Sequence, residues 1–120
     1  QEWQLIEEPL ALADVLNRIN SADQAVIVEC FTLWLTNLLC LEDETRLQQE
    51  KAALLDAVEQ FQGDLVLVSS EVGLGIMPMN ALARRFGDEA GAMNQALAKL
   101  SDRVTFVAAG LPMPLKSPPF

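Results

Sequence analysis

No histidine occurs among the 120 residues, and that absence alone removes a large part of enzyme chemistry. A Cys/His zinc site is excluded, as is any mechanism that draws a histidine base from within this chain. Cysteine is nearly as scarce: there are two, Cys30 and Cys40. Both stand in apolar surroundings, where a buried, inert thiol is the expected state. Basic residues number 8 against 17 acids, for a net charge of −9, and Arg84–Arg85 is the sole adjacent basic pair. A duplex nucleic acid needs a basic stripe, so nucleic acid is not an expected partner. A small phosphorylated ligand stays compatible, because magnesium neutralises phosphates against carboxylates. Long apolar runs are missing too. The longest are Phe31–Leu41, interrupted by Thr32, Thr36 and Asn37, and Val104–Leu111; both fall well short of the roughly 20 residues of a membrane span. No secretory pattern of basic then apolar residues is visible, and the expected location is cytoplasmic.

What the chain does contain is core material. Hydrophobic residues make up 51% of it and mean hydropathy is +0.21, enough for one domain over residues 1–120. Pro9 sits at a helix start, and Leu10, Leu12, Ala13, Leu16 and Ile19 give a helical face to about Asn20. Ala25–Val28 is a run without alternation, which predicts a strand buried on both faces. Phe31–Cys40 reads as a buried helix, and a second helix from about Thr45 ends before Gly63. Leu65–Val68 repeats the buried-strand signature. After the glycine- and proline-bearing loop Val72–Pro78, Asn80 is positioned to cap a long helix whose apolar stripe runs Leu82, Phe86, Ala90, Met93, Leu97, Leu100. Gly87 weakens that helix by about 1 kcal/mol relative to alanine and marks a candidate break. Val104–Ala109 is the third predicted strand, and Gly110–Phe120, with four prolines, reads as a trailing tail. Strands alternating with helices predict an α/β fold, a parallel sheet flanked by helices. Three strands are thin for that class, and something that should flank them is missing from this chain.

In open α/β sheets, ligands collect at the carboxyl ends of strands. Glu29 follows the first strand and Ser69-Ser70-Glu71 follow the second. A carboxylate on a rigid strand tip suits contact with nucleotide-bound magnesium, directly or through water, without reorganisation; the plainer reading is an acid assisting the next helix's N-terminus. Thr32 and Thr36, one turn apart with Asn37 alongside, either face that edge or bond back onto their own helix. Arg84 and Arg85 are candidates for phosphate contact, against the commoner role of solvated helix arginines. Asn94, beside the apolar stripe, reads as a structural hydrogen-bonder. Val72-Gly73-Leu74-Gly75-Ile76 lacks the third glycine of a dinucleotide fingerprint, and no glycine is followed by lysine, so no G-x-x-x-x-G-K-[ST] loop is present to cradle phosphates.

The segment Val-Glu-Cys-Phe-Thr-Leu-Trp-Leu-Thr-Asn-Leu-Leu at 28–39 resembles the "[DE]-C-x-T-x-W-x-[ST]-N-L-L" motif of the bifunctional adenosylcobinamide kinase / adenosylcobinamide-phosphate guanylyltransferase family. Residues 68–78 are similar to its "V-S-N-E-V-G-x-G-I-x-P", with Ser70 in place of the usual asparagine. Residues 80–86, Ala90-Gly91 and Asn94-Gln95 match its following helix. Trp3 with Glu7-Glu8-Pro9 resembles its lead-in "W-x-x-x-E-x-P", and Ala109–Pro112 with Leu115-Lys116 its ending. The resemblance runs from about Trp3 to Lys116. It implies a P-loop NTPase-like fold and an enzyme of cobalamin synthesis that phosphorylates adenosylcobinamide, then transfers GMP from GTP onto that phosphate. Implied ligands are GTP or ATP with magnesium, adenosylcobinamide and its phosphate; a homo-oligomer is implied as well. Positions matching the family's nucleotide contacts are Glu7 and Glu29, with Glu29 also the candidate toward magnesium, and Thr32, Glu71 and Arg84 as further candidates. The family's P-loop strand and its guanylylated histidine lie before the lead-in, so the expectation is an incomplete nucleotide-binding domain with no catalytic residue of its own. A non-catalytic module for oligomerisation or regulation is the rival expectation.

Overall fold

A computed structural model describes residues 3–69 and 81–118. The elements run α1 (Leu12–Ile19), β1 (Ala25–Val28), α2 (Phe31–Cys40), α3 (Glu44–Gln60), β2 (Asp64–Leu67), α4 (Ala81–Leu100), β3 (Val104–Ala108) and β4 (Leu111–Lys116).

The first helix starts without a side-chain cap at Ala11. Glu8 takes over part of that task, accepting from the backbone N–H groups of Leu10 and Ala11 at 3.1 and 3.0 Å. Those bonds favour the ionised form and hold the Glu8 carboxyl below the usual range. The polar break at 42–45 resolves into an N-cap: Asp43 accepts from Arg46 N at 3.0 Å at the head of α3. Asn20 ties the two helix ends together, donating to Gln60 O at 3.1 Å and accepting from Gln62 N at 2.7 Å.

β1 and β2 pair in parallel, Ala25 opposite Asp64 through Val28 opposite Leu67, as the α-helical crossover demands. Val26, Val28, Leu65 and Leu67 pack against a core built around Leu16, Leu35, Leu38, Leu54 and Met93. The strands are not buried on both faces as expected. Ile27, Val66 and Val68, at 48%, 53% and 47% exposure, turn away from the core, because the apolar helical faces gather on the other side of the pair.

A second departure concerns the third strand. Val104–Ala108 does not join β1 and β2; it forms a separate antiparallel hairpin with Leu111–Lys116. The expected tail is therefore a strand. Ala109 and Gly110 both take positive φ, 52° and 74°, the two-residue turn whose twist suits a hairpin. Prolines at 112 and 114 argue against a central strand but are tolerated at a sheet edge, which is where β4 lies.

The third departure is α4, which runs unbroken through Gly87. Ala90, Met93 and Leu97 are buried along the expected stripe, Phe86 packs partly against the core, and Leu82 at the end is 56% exposed. Packing on either side of Gly87 overrides its weak propensity. A Cβ at Gly87 would meet nothing within 4 Å, so Gly87→Ala is expected to raise stability by about 1 kcal/mol, read as a higher denaturation midpoint with unchanged slope. The cap expected at Asn80 lies outside the described residues.

A charge network links α3 to α4. Lys51 pairs with Glu89, and Arg85 reaches both Glu89 at 3.2 Å and Glu44 at 2.6 Å. Partial burial pushes the Glu89 carboxyl up, but Lys51 and Arg85 outweigh it and leave it below the usual range; Arg85 and Gln48 depress Glu44. Depressed carboxyls bind fewer protons folded than unfolded. Their contribution is complete above the ordinary glutamate value of 4.5 and drains away as pH falls through the lower folded values. Urea midpoints are expected to hold between neutrality and pH 5, then fall, with a shallower fall in Glu89→Gln; an unchanged fall in that variant would remove the network as its cause.

Candidate functional site

The carboxyl ends of β1 and β2 lie side by side, with Val68 N donating to Val28 O at 2.9 Å and Phe31 N to Val68 O at 3.2 Å. The second bond seats the first residue of α2 on the tip of β2. Between β1 and α2 the chain turns a corner at Cys30, whose φ of 57° and ψ of 60° are left-handed. A residue with a Cβ is strained there by about 1–2 kcal/mol, and the corner delivers Glu29 to the strand tip. The Glu29 side chain is exposed and makes no hydrogen bond or ion pair with the described residues. It is therefore neither a cap for α2 nor a partner of any arginine.

Other predicted positions fall in different places. Thr32 is buried at 5% exposure, its Oγ1 lying 3.2 Å from Cys30 Sγ, so it faces inward beneath the corner. Thr36 bonds back to Thr32 O at 2.9 Å, the plainer of its two readings. Both cysteines are exposed, against expectation: Cys30 lies on the outer bend and Cys40 at the open end of α2. Arg84 is exposed, and Arg85 is committed to Glu44 and Glu89. Glu7 is exposed on the lead-in and is not bonded to Glu29. Ser70 and Glu71 lie outside the described residues, as does the 72–78 loop. Asn94 has the structural role expected of it, accepting from Ser69 Oγ at 2.8 Å and so tying the β2 tip to α4.

Two contacts escaped local reading. Trp34 Nε1 donates to Leu10 O at 2.8 Å and Asn37 Nδ2 to Pro9 O at 3.1 Å. Asn37 thus faces the lead-in rather than the strand tips. Its partner is 28 residues away, and no spacing rule within one helix signals such a contact.

Among the described residues no three His, Cys, Asp or Glu side chains cluster to hold a metal.

Comparison with known proteins decides the family. The model for "Cobinamide kinase / cobinamide phosphate guanyltransferase" matches residues 1–115. The chain belongs to that family. It is 50% identical over 117 residues, 98% of its length, to the bifunctional adenosylcobalamin biosynthesis protein CobP of Pseudomonas aeruginosa. It is 36% identical over 107 residues, 78% of the chain, to the CobU protein of the same description from Salmonella typhimurium. The CobU protein of Escherichia coli is 30% identical over 129 residues, 97% of the chain. The chain spans 68%, 59% and 71% of the lengths of those three relatives. The relatives are bifunctional enzymes of adenosylcobalamin biosynthesis, and the kinase and guanyltransferase activities are those of the family. The helices and small parallel sheet are compatible with its fold. Among the described residues no helix is long and apolar enough to cross a membrane.

Proposed function

We propose that this chain supplies the acidic edge of the nucleotide site in an adenosylcobinamide kinase / adenosylcobinamide-phosphate guanylyltransferase. The observation that carries the reading is the uncommitted carboxylate of Glu29 on the tip of a parallel strand. Glu44 and Glu89 are held by Arg85 and Lys51, whereas Glu29 has no ion-pair partner among the described residues. A rigid anion without a protein counter-charge is available to a cation brought in by the ligand.

The substrates are GTP or ATP with magnesium, and adenosylcobinamide followed by its phosphate. Magnesium, when bound with the nucleotide, neutralises charge on the phosphate oxygens. Glu29 holds its carboxylate at the strand tip, where it contacts the metal or its waters. Glu7 contacts the nucleotide from the lead-in. Ser69, tied to Asn94, fixes the neighbouring tip, and Glu71 and Arg84 are further candidates for nucleotide contact. Phosphoryl transfer also needs oriented N–H donors and a lysine on the phosphates, so residues 1–120 by themselves bind nucleotide weakly and do not turn over. The working enzyme is a homo-oligomer.

Titration of the native full-length protein with Mg·GTP and Mg·ATP tests the reading. Weaker binding in Glu29→Gln supports it, and undiminished affinity in that variant refutes it.

A further inference from the structure

Residues 8–11 are held more firmly than a lead-in requires. The Glu8 carboxylate takes the N–H groups of Leu10 and Ala11, and Pro9 restricts its own φ. From the other side, Trp34 and Asn37 grip the carbonyls of Leu10 and Pro9. Those two donors are three residues apart and so share one face of α2. Trp34 is 4% exposed, and its ring lies 6.4 Å from that of Phe31, tilted by 56°, so the indole is fixed by the core before it donates. Capping α1 needs only the Glu8 bonds; the grip from α2 adds nothing to that helix's start.

What the grip does is set the backbone next to Glu7. Pro9 is two residues beyond Glu7, and α2 begins two residues beyond Glu29. One helix therefore lies between both acids of the proposed site: Glu29 stands just before its N-cap Cys30, and the segment after Glu7 is held by its side-chain donors. We infer that Trp34 and Asn37 are positioning residues, which fix Glu7 relative to Glu29 by clamping the Pro9 and Leu10 carbonyls to α2. The inference rests on the reading that Glu7 contacts the nucleotide.

The test is a double-mutant cycle in the native full-length protein, with KM for Mg·GTP and kcat for adenosylcobinamide phosphorylation as readouts. Asn37→Leu removes the donor at near-constant volume. It is expected to raise the nucleotide KM about fivefold, the effect of one lost hydrogen bond, with kcat within about twofold. Asn37→Gln, which keeps an amide donor, recovers part of the loss. Trp34→Phe keeps the aromatic packing without the N–H and shifts KM the same way. In a Glu7→Gln background, Asn37→Leu is expected to add nothing. A full fivefold effect persisting there overturns the positioning link, as does a lowered melting temperature with KM unchanged. If Glu7→Gln alone leaves KM unchanged, the inference falls at its premise, and that outcome is distinguishable because it indicts Glu7 rather than the clamp.

Discussion

Gly63→Ala is expected to destabilise the fold by roughly 2–4 kcal/mol, more than removal of any single surface ion pair. A Cβ at this position would lie 2.2 Å from Gln24 O and 2.6 Å from Ser21 O. Neither carbonyl is at liberty to withdraw. Gln24 O accepts from Asp64 N at 2.9 Å and Ser21 O from Gln24 N at 3.1 Å. The first of these opens the parallel ladder, where Ala25 meets Asp64. Relief of the clash would move the entry to both strands, and the ladder has only four paired positions over which to absorb it. Equilibrium urea denaturation measures the loss; a change below about 0.5 kcal/mol, the scatter of ordinary surface substitutions, would mean that the turn yields. The contrast with Gly87, where added atoms meet open space, makes the pair a matched test of sterics against helix propensity.

Glu29→Gln is the second large effect. Glutamine preserves the shape and hydrogen-bonding length of the side chain while removing its charge. Because Glu29 has no counter-charge among the described residues, the substitution leaves none of their cations unpaired, and stability is expected to change by less than about 0.5 kcal/mol. Binding of the magnesium nucleotide is expected to weaken about 10- to 100-fold, the usual cost of losing a carboxylate that supports a metal's ligand shell. The separation between the two readouts is the useful part. A structural glutamate would lose stability and affinity together.

Much of the fold is legible because local and tertiary signals agree. Ala25–Val28 and Leu65–Val68 are too apolar and too short for anything but strands, and the helices between them force a parallel pairing. The stripe from Phe86 to Leu97 predicts the buried face of α4. Where signals conflict, the local one loses. Gly87 is overruled by packing at Phe86 and Ala90, and the prolines of β4 mask a strand because composition does not distinguish an edge from a centre. The half-exposed Ile27, Val66 and Val68 were unreadable for a different reason: which faces of a sheet are covered depends on where every helix packs. Strand-tip logic places Glu29 at the end of β1 from the residues alone, as the structure has it, whereas Glu7 is a candidate only through resemblance to the family. The bond from Asn37 to Pro9 is non-local, so neither of the two readings open to it within its own helix reveals it.

The most direct measurement is the affinity of the native full-length protein and its Glu29→Gln variant for GTP, each determined with saturating magnesium and again in excess EDTA. If the Glu29 carboxylate acts toward the metal carried by the nucleotide, the variant binds about 10- to 100-fold more weakly with magnesium and the two proteins bind alike without it. Equal affinities in magnesium, or the same deficit in EDTA, would contradict a nucleotide site built on the tip of β1.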